Sequence, residues 1–220
     1  MRRWQGSADT PLTTLGTQQA AAAAERLREL EVCFSGPWAS DLVRAASTAT
    51  VIGSAIGLGP TIADGRLREA SAGEWEGLTP DEIEVQFPGW LAAHRRPSSF
   101  EPFGQVVGRA ISALRTIVAT VESSAGVPLV VTHSGVIRSL MRHLGGPDVR
   151  IPNLGGVWLT VDRTSSATGV VPDSFGVDAT GIHVGDLFDP GGIVVSGIDI
   201  PGEDPRQQPD QADQHGATDR

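Results

Sequence analysis

A histidine stands at the end of a nearly all-apolar stretch of the sequence. Residues 128–132 have the composition of a strand that is buried on both faces of a sheet. His133 follows directly, and Ser134 begins a helical pattern. Open α/β sheets bind ligands at the carboxyl ends of their strands, and free N–H groups at a helix N-terminus suit a phosphate. His133 is therefore a candidate functional residue; the alternative is a histidine that only hydrogen-bonds a loop.

Arg44 is a second candidate, because it lies early in a helical pattern over about residues 40–56. From that position a guanidinium can join the helix N-terminus in holding an anion with two hydrogen bonds. The alternative is an arginine on a solvated helix face.

A glycine-punctuated, acidic loop covers residues 67–79. A carboxyl in this loop could serve as a general acid if burial beside an anion raised its pKa. Taken alone, the segment is only an acidic loop. It leads into a strong helix start, in which Thr79 can cap, Pro80 suits the first position and Glu82 completes a capping box.

Helical and strand patterns alternate along the chain, which predicts an α/β fold: a three-layer αβα sandwich around a mainly parallel central sheet. One domain is expected over residues 1–200, followed by an acidic, disordered tail over 201–220 that is rich in Gln, Asp, Pro and Gly. Helices are expected at about 20–30, 40–56, 80–87, 104–121 and from 134, and strands at 32–34, 60–63, 128–132, 157–161 and 182–184.

Composition excludes several classes of protein. The 220 residues carry a net charge of −9, with 15 Arg and 16 acidic residues over 1–163 but 2 Arg and 10 acidic residues over 164–220, so a nucleic-acid-binding surface is not expected. The single cysteine, Cys33, excludes an internal disulfide and a multi-cysteine metal site. There is neither an apolar run long enough for a membrane span nor a secretory signal pattern. A cytoplasmic protein without membrane contact is expected.

The motifs taken together, in chain order, resemble the histidine phosphatase superfamily, the phosphoglycerate-mutase-like proteins, and within it the small phosphatases. The resemblance covers residues 4–162. It is carried by Gln5-Gly6 with Asp9, Pro11-Leu12-Thr13, Gly16 and Gln19-Ala20; by Ser40-Asp41-Leu42 with Arg44-Ala45 and Thr48-Ala49; by Leu67-Arg68-Glu69 with Gly73-Glu74-Trp75-Glu76-Gly77; by Glu101, Val106-Val107 and Arg109; and by Thr132-His133-Ser134-Gly135.

The resemblance implies hydrolysis of a small phosphorylated substrate through a phosphohistidine, without a metal or other cofactor. Arg44 and His133 would bind the phosphoryl group, and His133 and Glu69 would be catalytic, with Glu69 protonating the leaving oxygen. Gln5 and Gly6 would line the substrate side. Such positioning and charge stabilisation is what phosphoryl transfer chiefly requires of a protein. A homodimer is a further expectation.

One motif of the family is missing from the sequence. The Arg-His-Gly at the end of the family's first strand supplies the nucleophile, and the match here begins at about Gln5, after the place where that motif belongs. Two interpretations follow. Either the recorded start is too late and the native enzyme carries its nucleophile upstream, or the chain is an inactive member that binds phosphate. We favour the first, and expect the 220-residue form to lack the first strand and to be inactive.

A phosphatase is favoured over a phosphoglycerate mutase, which remains an alternative. Mutases of the family carry a longer basic insertion after the Trp-Glu-Gly segment, whereas here Arg95-Arg96 is the sole basic pair between residues 78 and 103. These arginines are either solvated or placed to meet an acidic substrate.

Overall fold

The computed structural model describes residues 3–121, 126–146, 151–160 and 192–197, the last of these as backbone only. Within these ranges, five α-helices and five strands follow one another. Their bounds are α1 Thr14–Glu29, β1 Phe34–Ala39, α2 Val43–Ala55, β2 Ile62–Ala63, α3 Pro80–Gln86, α4 Phe103–Thr120, β3 Val127–Thr132, α5 Ser134–His143, β4 Gly156–Thr160 and β5 Gly192–Gly197.

The strands form one sheet in the order β2-β1-β3-β5-β4. β1 is parallel to both β2 and β3, and β3 is parallel to β5, whereas β4 runs antiparallel to β5. The carboxyl ends of β1 and β3 therefore lie side by side, with Ala39 in register with Val131. The mainly parallel α/β fold predicted from the alternation of patterns is confirmed.

Helices cover both faces of this sheet. Val130 of β3 packs among side chains of α4 and α5, and its neighbour Leu129 packs among side chains of α1 and α2. Because successive residues of a strand point to opposite faces, this alternation defines the three layers of the sandwich. All six residues of β3 are buried, as the apolar composition of the strand predicts.

The helix-start signals in the sequence act as predicted. The Thr79 side chain accepts a hydrogen bond from the N–H of Glu82, and the Glu82 side chain accepts one from the N–H of Thr79, which is the predicted capping box. Thr13 caps α1 in the same way, by accepting a hydrogen bond from the N–H of Gly16. Among the described helices, none is long and apolar enough to cross a membrane.

Two strands differ from the sequence-based prediction. The strand expected at 32–34 begins at Phe34 and continues through Gly36 and Pro37 to Ala39. The expected end at residue 34 was wrong, because Gly36 and Pro37 lie at a shift in the register between β1 and β3, where proline breaks no regular ladder bond.

The second difference is an additional strand. β5, which the sequence did not predict, pairs with β3 on one side and with β4 on the other. The strand expected at 182–184 and the tail over 201–220 lie outside the described residues.

Candidate active site

His133 lies where the sequence places it, between the end of β3 and the start of α5. It is completely buried and is the residue that precedes the first turn of α5. Its Nε2 atom forms a 2.9 Å hydrogen bond with the hydroxyl of Ser40, the residue that follows β1. Ser40 is also fully buried, and its N–H donates to the carbonyl of Val131. The histidine ring is therefore fixed at the carboxyl edge of the sheet.

Arg44 lies in the first turn of α2, at the same edge, and is only 1% exposed. Its guanidinium donates to the carbonyl oxygens of Ala8 at 2.7 Å and Gly6 at 3.0 Å. The N–H of Val43 donates to the Asp9 carboxylate, which caps the start of the helix. Arg44 is thus a buried cation, held by the residues that precede α1, and a solvated helix face is the wrong interpretation for it.

Glu69 reaches the first turn of α5 from the loop after β2. One carboxylate oxygen accepts a hydrogen bond from the N–H of Gly135 at 3.0 Å, and the other accepts one from the N–H of Ala70 at 2.7 Å. A Cβ at position 135 would lie 2.9 Å from the carboxylate carbon, so a larger residue there would displace the Glu69 carboxylate. The structure therefore brings Glu69 to the helix that follows His133.

Gln5 and Gly6 lie in the N-terminal segment, which we define as residues 3–9. Gly6 is buried with φ of +51°, and a Cβ there would lie 2.7 Å from the Ala72 nitrogen. Only glycine fits this backbone without strain. Gln5 is half-buried, and its carbonyl accepts a hydrogen bond from the N–H of Ala8. Gly6 thus contacts Arg44 through its carbonyl, and Gln5 is hydrogen-bonded to Ala8, whose carbonyl also accepts from Arg44.

Glu76 lies in the stretch over residues 73–77 that carries part of the family resemblance, and the sequence alone gives it no role. One of its oxygens accepts hydrogen bonds from the Ser7 N–H at 2.9 Å, the Ser7 hydroxyl at 2.7 Å, the Ala72 N–H at 3.1 Å and the Ser71 hydroxyl at 3.2 Å. Burial by itself raises the pKa of Glu76, but the hydrogen bonds from Ser7 and Ala72 outweigh it and the pKa is lowered. The charged carboxylate ties the N-terminal segment to the acidic loop.

An exposed ion pair joins the arginine and acid sides of the site. Asp41, which follows Ser40, accepts two hydrogen bonds of 2.7 Å from the guanidinium of Arg68, which precedes Glu69. The hydrogen bonds from Arg68 lower the pKa of Asp41.

Arg95 and Arg96 lie against aromatic rings. Arg95 lies 4.1 Å from the ring centre of Trp90, and Arg96 lies 4.9 Å from that of Trp75 and 5.1 Å from that of Trp4. Burial lowers the pKa of Arg96. Both arginines remain exposed to solvent while they cover these rings.

A metal ion finds no cluster of side-chain ligands in the part of the chain that the structure describes. Among the described residues, no group of three or more His, Cys, Asp or Glu side chains is placed to hold a metal ion. A cavity of about 560 Å³ lies instead between α4 and the edge strand β2, where Trp38, Ile62 and Thr116 are part of its lining. The cavity is separate from the candidate site, because none of its lining residues is a candidate residue (Gln5, Gly6, Arg44, Glu69 and His133).

The fold and these groups define an α/β protein with a buried histidine, a buried arginine and a partly buried carboxylate at the carboxyl edge of a parallel sheet, where such sheets bind ligands. A family profile described as histidine phosphatase superfamily (branch 1) matches residues 1–160. The chain belongs to the histidine phosphatase superfamily, as the resemblance in the sequence indicated.

Individual relatives agree with this assignment. The glucosyl-3-phosphoglycerate phosphatase of Mycolicibacterium vanbaalenii is 37% identical over 182 residues, which cover 76% of this chain and 80% of that protein. The native structure of a mycobacterial glucosyl-3-phosphoglycerate phosphatase superposes with a TM-score of 0.63 at 30% identity, over 73% of this chain and 84% of that one. A structure of the mycobacterial enzyme with VO3 superposes with a TM-score of 0.62 at 31% identity, over 72% of this chain and 84% of that one.

Proposed function

We propose that the site around His133 binds the phosphoryl group of small phosphomonoesters and is the active site of a phosphatase. The observation that carries the proposal is the meeting of Glu69 with the first turn of α5, directly after the buried His133. A general acid is useful only to a hydrolytic or transfer reaction. The position of the Glu69 carboxylate beside the N-terminus of α5, which suits a phosphate, therefore favours an enzyme over a binding protein. The relatives reported above are named as phosphatases, which favours hydrolysis over a mutase reaction.

We assign the roles as follows. Arg44 and His133 bind the phosphoryl oxygens and stabilise the charge that develops in the transition state. Glu69 protonates the leaving oxygen: a phosphate dianion beside the carboxylate raises the carboxyl pKa and so favours uptake of the proton that is later donated. Gln5 and Gly6 line the side of the site that contacts the rest of the substrate.

The nucleophile is a separate question. The 220 residues contain no Arg-His-Gly sequence. Of the other histidines that the structure describes, His143 ends α5 and His94 lies in the segment after α3. We therefore propose that hydrolysis requires the family's nucleophilic histidine in addition to these residues, and that the 220 residues supply the phosphate-binding groups and the acid.

The proposed substrate is a phosphomonoester of the size of glucosyl-3-phosphoglycerate, the compound for which the relatives are named. Neither a metal nor another cofactor is needed, because the arginine and histidine supply the positive charge that a metal would otherwise provide. The homodimer and the cytoplasmic location stay predictions.

Phosphate binding tests the site in the 220-residue chain. We expect saturable binding of inorganic phosphate and of vanadate by calorimetry, lost in Arg44→Gln. Arg28→Gln is the matched control, because Arg28 also lies on a helix but pairs with Glu25 at the surface. Equal affinity in Arg44→Gln and the unaltered chain would overturn the site assignment.

Hydrolysis is tested on a chain extended through the upstream reading frame. A panel of monophosphates that includes glucosyl-3-phosphoglycerate should be hydrolysed, with unchanged rates after EDTA treatment. Glu69→Gln should slow the esters with poor leaving groups most. Phosphate binding without hydrolysis in every form would instead support the inactive, phosphate-binding alternative, and transfer of phosphate between positions of phosphoglycerate would support the mutase.

A further inference from the structure

Behind Glu69 lies a second charged side chain, which no step of the proposed reaction uses. Arg109, in the middle of α4, directs its guanidinium at the loop that carries Glu69. It donates to the carbonyl oxygens of Arg66 at 2.7 Å, Arg68 at 2.6 Å and Glu69 itself at 3.2 Å. Three carbonyls of one irregular loop are thus held by one side chain of a regular helix.

The remaining N–H groups of this guanidinium bind a carboxylate. The Nε atom of Arg109 donates to Glu101 at 2.7 Å, and Nη2 donates to the second Glu101 oxygen at 2.9 Å. Together with the three carbonyls, these bonds engage all five donors of the arginine. Both partners of the ion pair are largely buried, with side chains 19% and 17% exposed.

Glu101 also contacts the loop directly, on the far side of Glu69. Its carboxylate accepts a hydrogen bond from the N–H of Ser71 at 3.1 Å, and its own N–H donates to the carbonyl of Ser71 at 2.9 Å. Burial by itself raises the pKa of Glu101, but the hydrogen bonds and charge of Arg109 outweigh it and the pKa is lowered. The loop is therefore held on both sides of the acid.

We propose that Arg109 and Glu101, which we call the Arg109 clamp, are positioning residues that hold the Glu69 carboxylate against the first turn of α5. Neither residue needs to touch the substrate. The clamp fixes the backbone from which the Glu69 side chain projects, and so fixes where the proton is delivered. The catalytic part of this inference rests on the proposed function; the geometric part does not.

Arginine is required in this role, and lysine cannot replace it. An ammonium group has three donors on a flexible stem, whereas the contacts need two donors for Glu101 and three for the carbonyls. Arg109→Lys retains the charge opposite Glu101 but leaves carbonyls of the loop without their donor. The conservative substitution should therefore fail to restore the geometry.

The geometric part is tested by the amide of Gly135, because its N–H donates to the Glu69 carboxylate. Nuclear magnetic resonance of the ¹⁵N-labelled 220-residue chain measures its chemical shift and its exchange with D₂O. Arg109→Gln and Arg109→Lys should move the Gly135 amide proton upfield and speed its exchange by about 10- to 100-fold, the range expected when a hydrogen bond to a charged group is lost. Glu69→Ala, which removes the acceptor, gives the reference for a broken contact.

Two controls separate this effect from a general loosening of the fold. Arg66→Gln removes another arginine that joins the same loop to the same helix, through Ser112 and Thr116, but that supports no carbonyl near Glu69; the Gly135 amide should not change. The capping N–H of Glu82 in α3 should not change in any variant. If Arg109→Gln does not fold, Glu101→Gln, which has the same shape, answers the same question.

The catalytic part is tested in the chain that hydrolyses esters. Arg109→Gln should lower kcat for poor leaving groups and leave KM within about twofold, as expected when an interaction of the transition state alone is lost. An unchanged Gly135 amide overturns the clamp, whatever the activity. A changed amide with unchanged kcat overturns the role of Glu69 as the acid and leaves the clamp in place, so that the two failures are distinguishable.

Discussion

The arginine side and the acid side of the site are held in different ways. Arg44 is held by carbonyls of the irregular N-terminal segment, and that segment is tied down by the carboxylate of Glu76. Glu69 is held by a loop that is fixed to the regular helix α4 through Arg109. A helix that packs into the main core is a firmer support than a short segment without secondary structure. The arginine side should therefore be the first to be lost when the protein is perturbed.

Both sides depend on the sheet, so removal of β5 should have the largest effect. In a chain that ends at residue 160, β4 has no partner in the described sheet and one edge of β3 is unpaired. We expect this shorter chain to lose cooperative unfolding in urea, as measured by circular dichroism. A chain that ends at residue 200 keeps β5 and should unfold like the full chain, as the predicted domain boundary requires. Cooperative unfolding of the shorter chain would show that β5 is dispensable.

On the arginine side, Gly6→Ala should have the largest effect of a single substitution. The new Cβ would meet Ala72 and Glu76 at a positive φ. Gly57→Ala is the matched control, with φ of +79° and open space around it, and should cost about 1–2 kcal/mol of unfolding free energy. Gly6→Ala should cost a further ~1–3 kcal/mol because of the overlap. Phosphate affinity should fall in Gly6→Ala and not in Gly57→Ala. Equal losses of unfolding free energy in the two variants would show that the overlap at Gly6 has no effect.

Replacement of the Glu76 carboxylate separates the two sides. Glu76→Gln keeps the shape but removes the charge that four donors share, at a cost of about 1.5–3 kcal/mol. Phosphate binding should weaken because the carbonyls that hold Arg44 are released, while the Gly135 amide stays in place. Glu101→Gln should show the opposite pattern. Identical responses of the two variants would mean that the sides are not held separately.

Acid should protonate the carboxylates of Glu76 and Glu101 and so weaken their hydrogen bonds. The direction of the change in stability follows from their pKa values. The pKa of Glu76 and that of Glu101 are lowered in the folded protein. Their contribution to stability is therefore complete above the unfolded glutamate pKa of about 4.3, and is lost as the pH falls through the lower folded values. Amide titration should show this, because the Ser7 N–H reports on Glu76 and the Ser71 N–H reports on Glu101. Midpoints above the unfolded value would contradict it.

The smallest effect is expected from the ion pair between the two sides. Asp41 and Arg68 are partly exposed, so Asp41→Asn should cost only about 0.2–1 kcal/mol, and less at high salt. Urea unfolding at two ionic strengths measures this. A cost near that of Glu76→Gln would mean that the two sides are coupled through this pair.

Local patterns in the sequence predicted much of the fold. The apolar run of β3, the helix start after His133 and the Thr79 capping box all depend on neighbouring residues, and all three are found in the structure. The end of β1 was mispredicted because proline normally interrupts a strand, and only pairing with β3 shows why it is accepted here. β5 was missed because its place in the sheet depends on strands distant in the sequence.

The candidate site divides in the same way. The residue types of the site and their order in the chain could be predicted from the sequence, because the carboxyl ends of parallel strands meet at one edge of the sheet whatever the details of packing. The supporting contacts were not readable. Ser7 meets Glu76 across 69 positions of sequence, and Arg109 meets the carbonyl of Glu69 across 40. No local spacing specifies such pairs. The sequence by itself determined which groups are available for chemistry, and the tertiary structure alone decided which of them hold the others in place, since a buried polar group takes as its partner whatever the packing brings within reach.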